Sequence, residues 1–131
     1  MAITLEGTTY TDGTTTWSPN RDGAYEIGSL DQLKFFRDAV NDGNTFAGQT
    51  VLLTASIDLN NEEWTPIGKS GKTFQGTFDG QGNTVSNLKI TKGVANTSAN
   101  CGIGFFGYTN SPATITDLTI NNVDITGSLY V

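Results

Sequence analysis

The chain has no histidine, one cysteine (Cys101), three prolines and only 15% charged residues. Without histidine it lacks the commonest general base and the commonest transition-metal ligand, which counts against hydrolases and zinc enzymes together. A lone cysteine rules out an internal disulfide and reads as a buried, inert thiol, with an intermolecular bridge as the lesser alternative. Cations are scarce: 7 Lys and Arg stand against 13 Asp and Glu, a net charge of −6. The resulting pI of 4.3 gives a surface that repels phosphate backbones, so nucleic acid is not an expected partner. No apolar run approaches the roughly 18 residues of a membrane span. The N-terminal MAITLEG carries no signal-peptide pattern.

What is present is glycine, 16 residues of it, with abundant Thr and Asn. That mixture disfavours a helical bundle and favours short strands joined by many turns. A length of 131 residues suits one domain, which would bury about two-thirds of the surface its unfolded chain exposes.

Residues 1–28 read as short strands and turns, broken at Pro19-Asn20 and Asp22-Gly23. Residues 29–42, SLDQLKFFRDAVND, are the one clear helix. Ser29 and Gln32 stand in a capping-box arrangement, Leu30, Leu33, Phe36 and Val40 form an apolar stripe, and Gly43 follows as the C′ residue. QTVLLTASIDL (49–59) reads as strand, with Val51, Leu53, Ile57 and Leu59 on one face.

In TFQGTFDGQGNTVSNLKIT (73–91), apolar residues are interleaved with turn residues. Asp79-Gly80, Gln81-Gly82 and Asn83 read as corners, where positive φ is cheap for Gly and tolerable for Asn. Phe78, Val85, Leu88 and Ile90 then point inward. Val85-x-x-Leu88-x-Ile90 recurs 30 residues later as Ile115-x-x-Leu118-x-Ile120, and Val123-x-Ile125 repeats the pattern again. Units this short cannot bury a face alone, and stacking them gives each strand a parallel neighbour. The expected fold is therefore all-β, a parallel β-helix (a pectate-lyase-like solenoid) with one N-terminal capping α-helix. A single domain over 1–131 is expected, with 1–48 as the cap and 49–131 as stacked coils, cut short at the C-terminus as if the stack continued in a longer parent.

Several stretches imitate catalytic motifs. GIGFFG (102–107) fits G-x-G-x-x-G, but no strand precedes it and Pro112 follows where a helix would begin, so no dinucleotide is expected. GKSGKT (68–73) resembles the end of a phosphate-binding loop, yet Pro66 stands where its first Gly is needed. Asp79-x-Gln81-x-Asn83 and Asp58-x-Asn60-x-Glu62 have the spacing of a calcium loop start and lack its later ligands. An irregular oxygen cage at Asp58, Glu62 and Glu63 is the one calcium candidate. Glu62 and Glu63 are adjacent, which on a strand points them to opposite faces rather than across a scissile bond. Asn96-Thr97-Ser98 is a glycosylation sequon. Trp17 and Trp64 could stack on sugar rings, although core packing is the commoner role.

GAYEIGSLDQLKFFRDAVNDGNTFAGQTVLLTASIDLNNEEWTPIG, then FQGTFDGQGNTVSNLKI, then GFFGYTNSPATITDLTINNVDITG, cover residues 23–127. In this order they resemble bacterial surface proteins carrying GLUG-type repeats. Ile57-Asp58-Leu59 and Trp64-Thr65-Pro66-Ile67-Gly68 fill the first element of that family. Gly104-Phe105-Phe106-Gly107 takes the place of its GLFG, with Phe105 for the usual Leu. The resemblance implies a right-handed β-helix, secretion to the extracellular space or cell surface, and no known catalytic residue.

The function expected is a non-catalytic surface module, part of a bacterial adhesin or stalk. Loops 60–73 and 92–101 would face a host protein or surface glycan, with Trp64, Lys69 and Lys72 as contact candidates. No catalytic residue and no cofactor are expected, calcium apart. The alternatives are a polysaccharide-active enzyme or carbohydrate-binding β-helix, and a self-assembling fibre or phage-tail subunit joined through the C-terminal coil.

Overall fold

The computed structural model describes residues 2–91 and 104–125. Among the described residues, twelve short strands and one helix succeed one another. They are β1 (Thr4–Glu6), β2 (Thr9–Thr11), β3 (Thr16–Trp17), β4 (Tyr25–Ile27), α1 (Leu30–Asn41), β5 (Thr50–Leu53) and β6 (Ile57–Asp58), followed by β7 (Thr77–Asp79), β8 (Thr84–Ser86), β9 (Lys89–Ile90), β10 (Thr114–Thr116), β11 (Thr119–Asn121) and β12 (Asp124–Ile125).

The parallel β-helix expected from the repeat, right-handed by the resemblance, is not what these residues form. The strands fall into four small, separate sheets, in the orders β1-β2-β3, β10-β7-β5-β4, β11-β8-β6 and β12-β9. The first is antiparallel, and no solenoid is detected among the described residues. The physical reason lies in the turns. Asp12 accepts from the N–H groups of Thr14 and Thr15 (2.8 and 2.7 Å), which folds the Thr-rich N-terminus back on itself. Left-handed residues at Asn60, Asn61, Gln81, Gly82, Asn87, Asp117 and Asn122 then cut the later chain into strands too short to merge. The expected strand at 49–59 is divided accordingly into β5 and β6, although Val51, Leu53, Ile57 and Leu59 are all buried.

Within the other three sheets every pairing is parallel, and the register corrects the expected one. Val85 stands opposite Ile120, not Ile115, and Ile90 opposite Ile125, not Ile120. Ile115 instead lies beside Phe78, which in turn lies beside Val51. The left-handed Asn87 is thus matched by the left-handed Asn122. The corner reading also shifts. Gln81 (φ 51) and Gly82 (φ 77) adopt positive φ, whereas Gly80 and Asn83 do not.

The helix begins as the capping residues dictate. The Ser29 hydroxyl accepts the Gln32 N–H at 3.2 Å, and the Gln32 side chain accepts the Gly28 N–H at 2.8 Å. Gly43 (φ 109) follows the C-cap Asp42. Leu33, Phe36, Ala39 and Val40 are buried, Leu30 only partly. α1 lays this face on an aromatic core. Phe36 meets Phe46, Phe74 and Phe78 at centroid distances of 5.1, 5.5 and 5.6 Å. Tyr10, Trp17 and Tyr25 extend the same cluster toward the N-terminus, and Phe105 and Phe106 extend it the other way. Among the described residues, no helix is long and apolar enough to cross a membrane.

Candidate functional site

Phe35 is the first of an adjacent phenylalanine pair on α1. Phe36 belongs to the buried stripe, and a step of about 100° around the helix puts Phe35 beside that stripe. It is half-buried, and its ring meets Trp17 edge-on at 6.2 Å. Trp17 is held in turn by its indole N–H, which donates to the Glu26 carbonyl at 2.9 Å. Between β3 and α1 this leaves a groove of about 380 Å³, walled by Thr15, Thr16, Asp31, Gln32 and Lys34 around the two rings.

A second cleft of about 330 Å³ adjoins it, sharing Phe35 and Asp38. Its walls are polar and include Asp12, Asn41, Asp42 and Lys69. These carboxylates are already engaged. Backbone N–H groups of Thr15 and Thr14 hold the Asp12 carboxyl below the usual carboxylate range. Asp42 accepts the Ile3 N–H at 2.8 Å, and Asp38 pairs with its neighbour Arg37 at 2.8 Å. The pair of clefts is thus an aromatic platform between hydroxyl, amide and carboxylate groups, a combination suited to a polyhydroxylated ligand.

The residues singled out in the sequence are scattered. Trp64 is 3% exposed. Its ring stacks on Phe105 (5.4 Å, 15°), its N–H donates to the Phe105 carbonyl at 3.2 Å, and the Arg37 guanidinium lies 4.8 Å from its centroid. A ligand has no access to that ring. Lys69 and Lys72 close a tight turn through reciprocal backbone hydrogen bonds of 3.0 and 2.9 Å, and Lys69 alone reaches the polar cleft.

The three calcium candidates take separate partners. Asp58 accepts from the Asn87 side chain (2.8 Å) and the Asn60 N–H (2.7 Å), and these bonds hold its pKa below the ordinary carboxylate value. Glu62 lies 3.7 Å from Lys34. Glu63 accepts from both the N–H and the hydroxyl of Thr91, at 2.7 and 2.9 Å. Among the described residues, no group of three or more His, Cys, Asp or Glu is placed to hold a metal. Cys101, the sequon at 96–98 and the loop at 92–101 lie outside the described residues.

Two motifs of the GLUG-type resemblance meet in space. The Ile67 N–H donates to the Phe105 carbonyl (2.9 Å), and the Gly107 N–H to the Ile67 carbonyl (2.8 Å). The WTPIG and GFFG segments therefore brace each other as packing elements. The groove at Phe35 was not anticipated. Its signal was an aromatic residue off the apolar stripe of an amphipathic helix.

Halomucin of Haloquadratum walsbyi is 35% identical to this chain over 117 residues, a match that takes in 82% of the chain and 1% of halomucin. The chain thus spans a very small part of that protein's length. No family model matches the chain, and no solved structure matches it.

Proposed function

We propose that the chain is a non-catalytic module of a longer extracellular or cell-surface protein, and that it holds a glycan in the groove between β3 and α1. The observation that carries this is Phe35, a half-buried ring set beside Trp17 and flanked by hydroxyl, amide and carboxylate side chains. The apolar C–H face of a sugar ring would rest on Phe35, while Thr15, Thr16, Asp31 and Gln32 exchange hydrogen bonds with its hydroxyls. The similarity to a stretch of halomucin supports the surface assignment. The ordered motifs resembling GLUG-type surface proteins point the same way.

The test is a glycan array probed with the intact chain and with Phe35→Ala, backed by a reducing-sugar assay on acidic polysaccharides. Binding to a defined glycan, reduced at least about tenfold by the substitution with the fold intact, is the expected result; tenfold is about 1.4 kcal/mol. Binding that Phe35→Ala leaves unchanged places the glycan elsewhere. Sugar release would make the module an enzyme.

A further inference from the structure

We infer that the groove between β3 and α1 selects an amino sugar, an oligosaccharide whose rings carry free ammonium groups, over neutral and acidic glycans. This rests on the glycan reading and adds to it the sign of the ligand's charge.

The groove and the polar cleft beside it share Phe35 and Asp38, so they form one continuous track. Their volumes, about 380 and 330 Å³, each lie within the range of small-ligand sites, roughly 300–1,000 Å³. Successive rings of one oligosaccharide can then lie on either side of Phe35. Every wall comes from residues 3–69, all of them described. The track sits where the Trp17 indole meets the Glu26 carbonyl of β4, at the opposite end of its sheet from β10.

Four carboxylates line this track, Asp12, Asp31, Asp38 and Asp42, against the ammonium groups of Lys34 and Lys69. Lys34 is offset by Glu62 at 3.7 Å, and Asp38 by Arg37 at 2.8 Å. That leaves Asp12, Asp31 and Asp42 against Lys69 alone. Asp31 takes no hydrogen bond or ion pair from the described residues. Asp12 stays charged, since backbone N–H groups hold its carboxyl below the usual range.

Such a field repels uronates and sulfated glycans, and the net charge of −6 adds to the repulsion. An ammonium group is attracted twice, by the carboxylates and by the faces of the aromatic rings. A hydroxyl or an acetamide gains nothing from the charge. A metal ion would need the carboxylates to converge, and among the described residues no group of three does so. Charge spread along a track instead matches charge repeated along a chain. A lysine-rich peptide meets the same carboxylates but has no ring face to set on Phe35.

Titration calorimetry of the intact chain against a glucosamine oligomer, its N-acetylated counterpart, a galacturonate oligomer and oligolysine of equal length reads the outcome. About pH 5.5 keeps aspartates ionised and the sugar amines protonated. The glucosamine oligomer should bind at least about tenfold tighter than the other three, by an advantage that shrinks as salt rises. Asp31→Asn combined with Asp38→Asn should weaken it about threefold to tenfold, the loss expected for two exposed ion pairs, and weaken the N-acetylated oligomer less. Asp31→Lys with Asp38→Lys should turn the preference toward galacturonate, a reversal that a merely structural role would not produce. Asp12 and Asp42 are left intact because they hold the N–H groups of Thr14, Thr15 and Ile3. Equal binding of the N-acetylated oligomer, tighter binding of galacturonate, or oligolysine matching the sugar would overturn the inference. If a neutral or acidic oligomer binds and Phe35→Ala abolishes that binding, the glycan reading stands and the charge assignment alone fails. If no oligosaccharide binds, both fail.

Discussion

Gly80 lies against the backbone of Asp117 so closely that a Cβ built on it would stand 2.5 Å from the Asp117 carbonyl oxygen and 2.7 Å from the Leu118 Cα. Its role is space between neighbouring layers, not a left-handed corner. Gly82 presents the converse case, with φ 77 and nothing within 4 Å of the built Cβ. Gly80→Ala must push two backbones apart and should cost about 1–3 kcal/mol. Gly82→Ala meets only the left-handed penalty, about 1 kcal/mol. Urea midpoints of the two variants check this, and equal losses, or a greater loss at Gly82, would refute the assignment of roles.

Leu88 and Leu118 were equivalent in the sequence repeat and are not equivalent in the fold. Leu88 is 2% exposed, whereas Leu118 is only partly buried in the outermost layer. Leu88→Ala should therefore cost about 2–5 kcal/mol. Leu118→Ala removes less apolar contact and should cost about 1 kcal/mol. Thermal melts of the two variants decide the matter. A Leu118 loss as large as that of Leu88 would mean that the last layer is covered.

That inequality shows where the sequence could be read and where it could not. The helix was legible because Ser29, Gln32 and the Leu33/Phe36/Val40 stripe act within a few residues of one another. Parallel stacking of the 85–90 region on the 115–125 region was legible too, since both carry apolar residues at matching intervals. The register was not, because Val-x-x-Leu-x-Ile fits Ile115-x-x-Leu118-x-Ile120 and Ile120-x-x-Val123-x-Ile125 equally well. Residue type breaks the tie: Asn87 precedes Leu88 as Asn122 precedes Val123, whereas Asp117 precedes Leu118, although all three are left-handed. The separation into four sheets, which removes the β-helix, depends on turns whose hydrogen bonds are not visible in composition. The groove at Phe35 joins α1 to a strand from a different sheet, a juxtaposition no local pattern records.

Tyr10 is a buried tyrosine whose ionisation opposes folding. It is 1% exposed, stacks on Phe46 at 4.4 Å, and donates its hydroxyl hydrogen to the Gln49 side chain. Burial, and then the nearby Tyr25, hold its pKa far above the ordinary tyrosine value. Burial raises Tyr25 as well, and its hydroxyl donates to the Thr8 carbonyl at 2.6 Å. In both cases the folded pKa exceeds the unfolded one, so the contribution to stability is complete below about pH 10 and declines as pH rises beyond it. Each tyrosine still protonated only in the folded state removes about 1.4 kcal/mol per pH unit in that range. Tyr10→Phe should cost about 1 kcal/mol at neutral pH, because Gln49 loses its donor. The same variant should decline less steeply than the parent above about pH 10, with Tyr25 alone left to titrate. Urea midpoints on either side of that pH measure both slopes. Parallel slopes would show that the Tyr10 hydroxyl ionises no differently in the folded and unfolded chains.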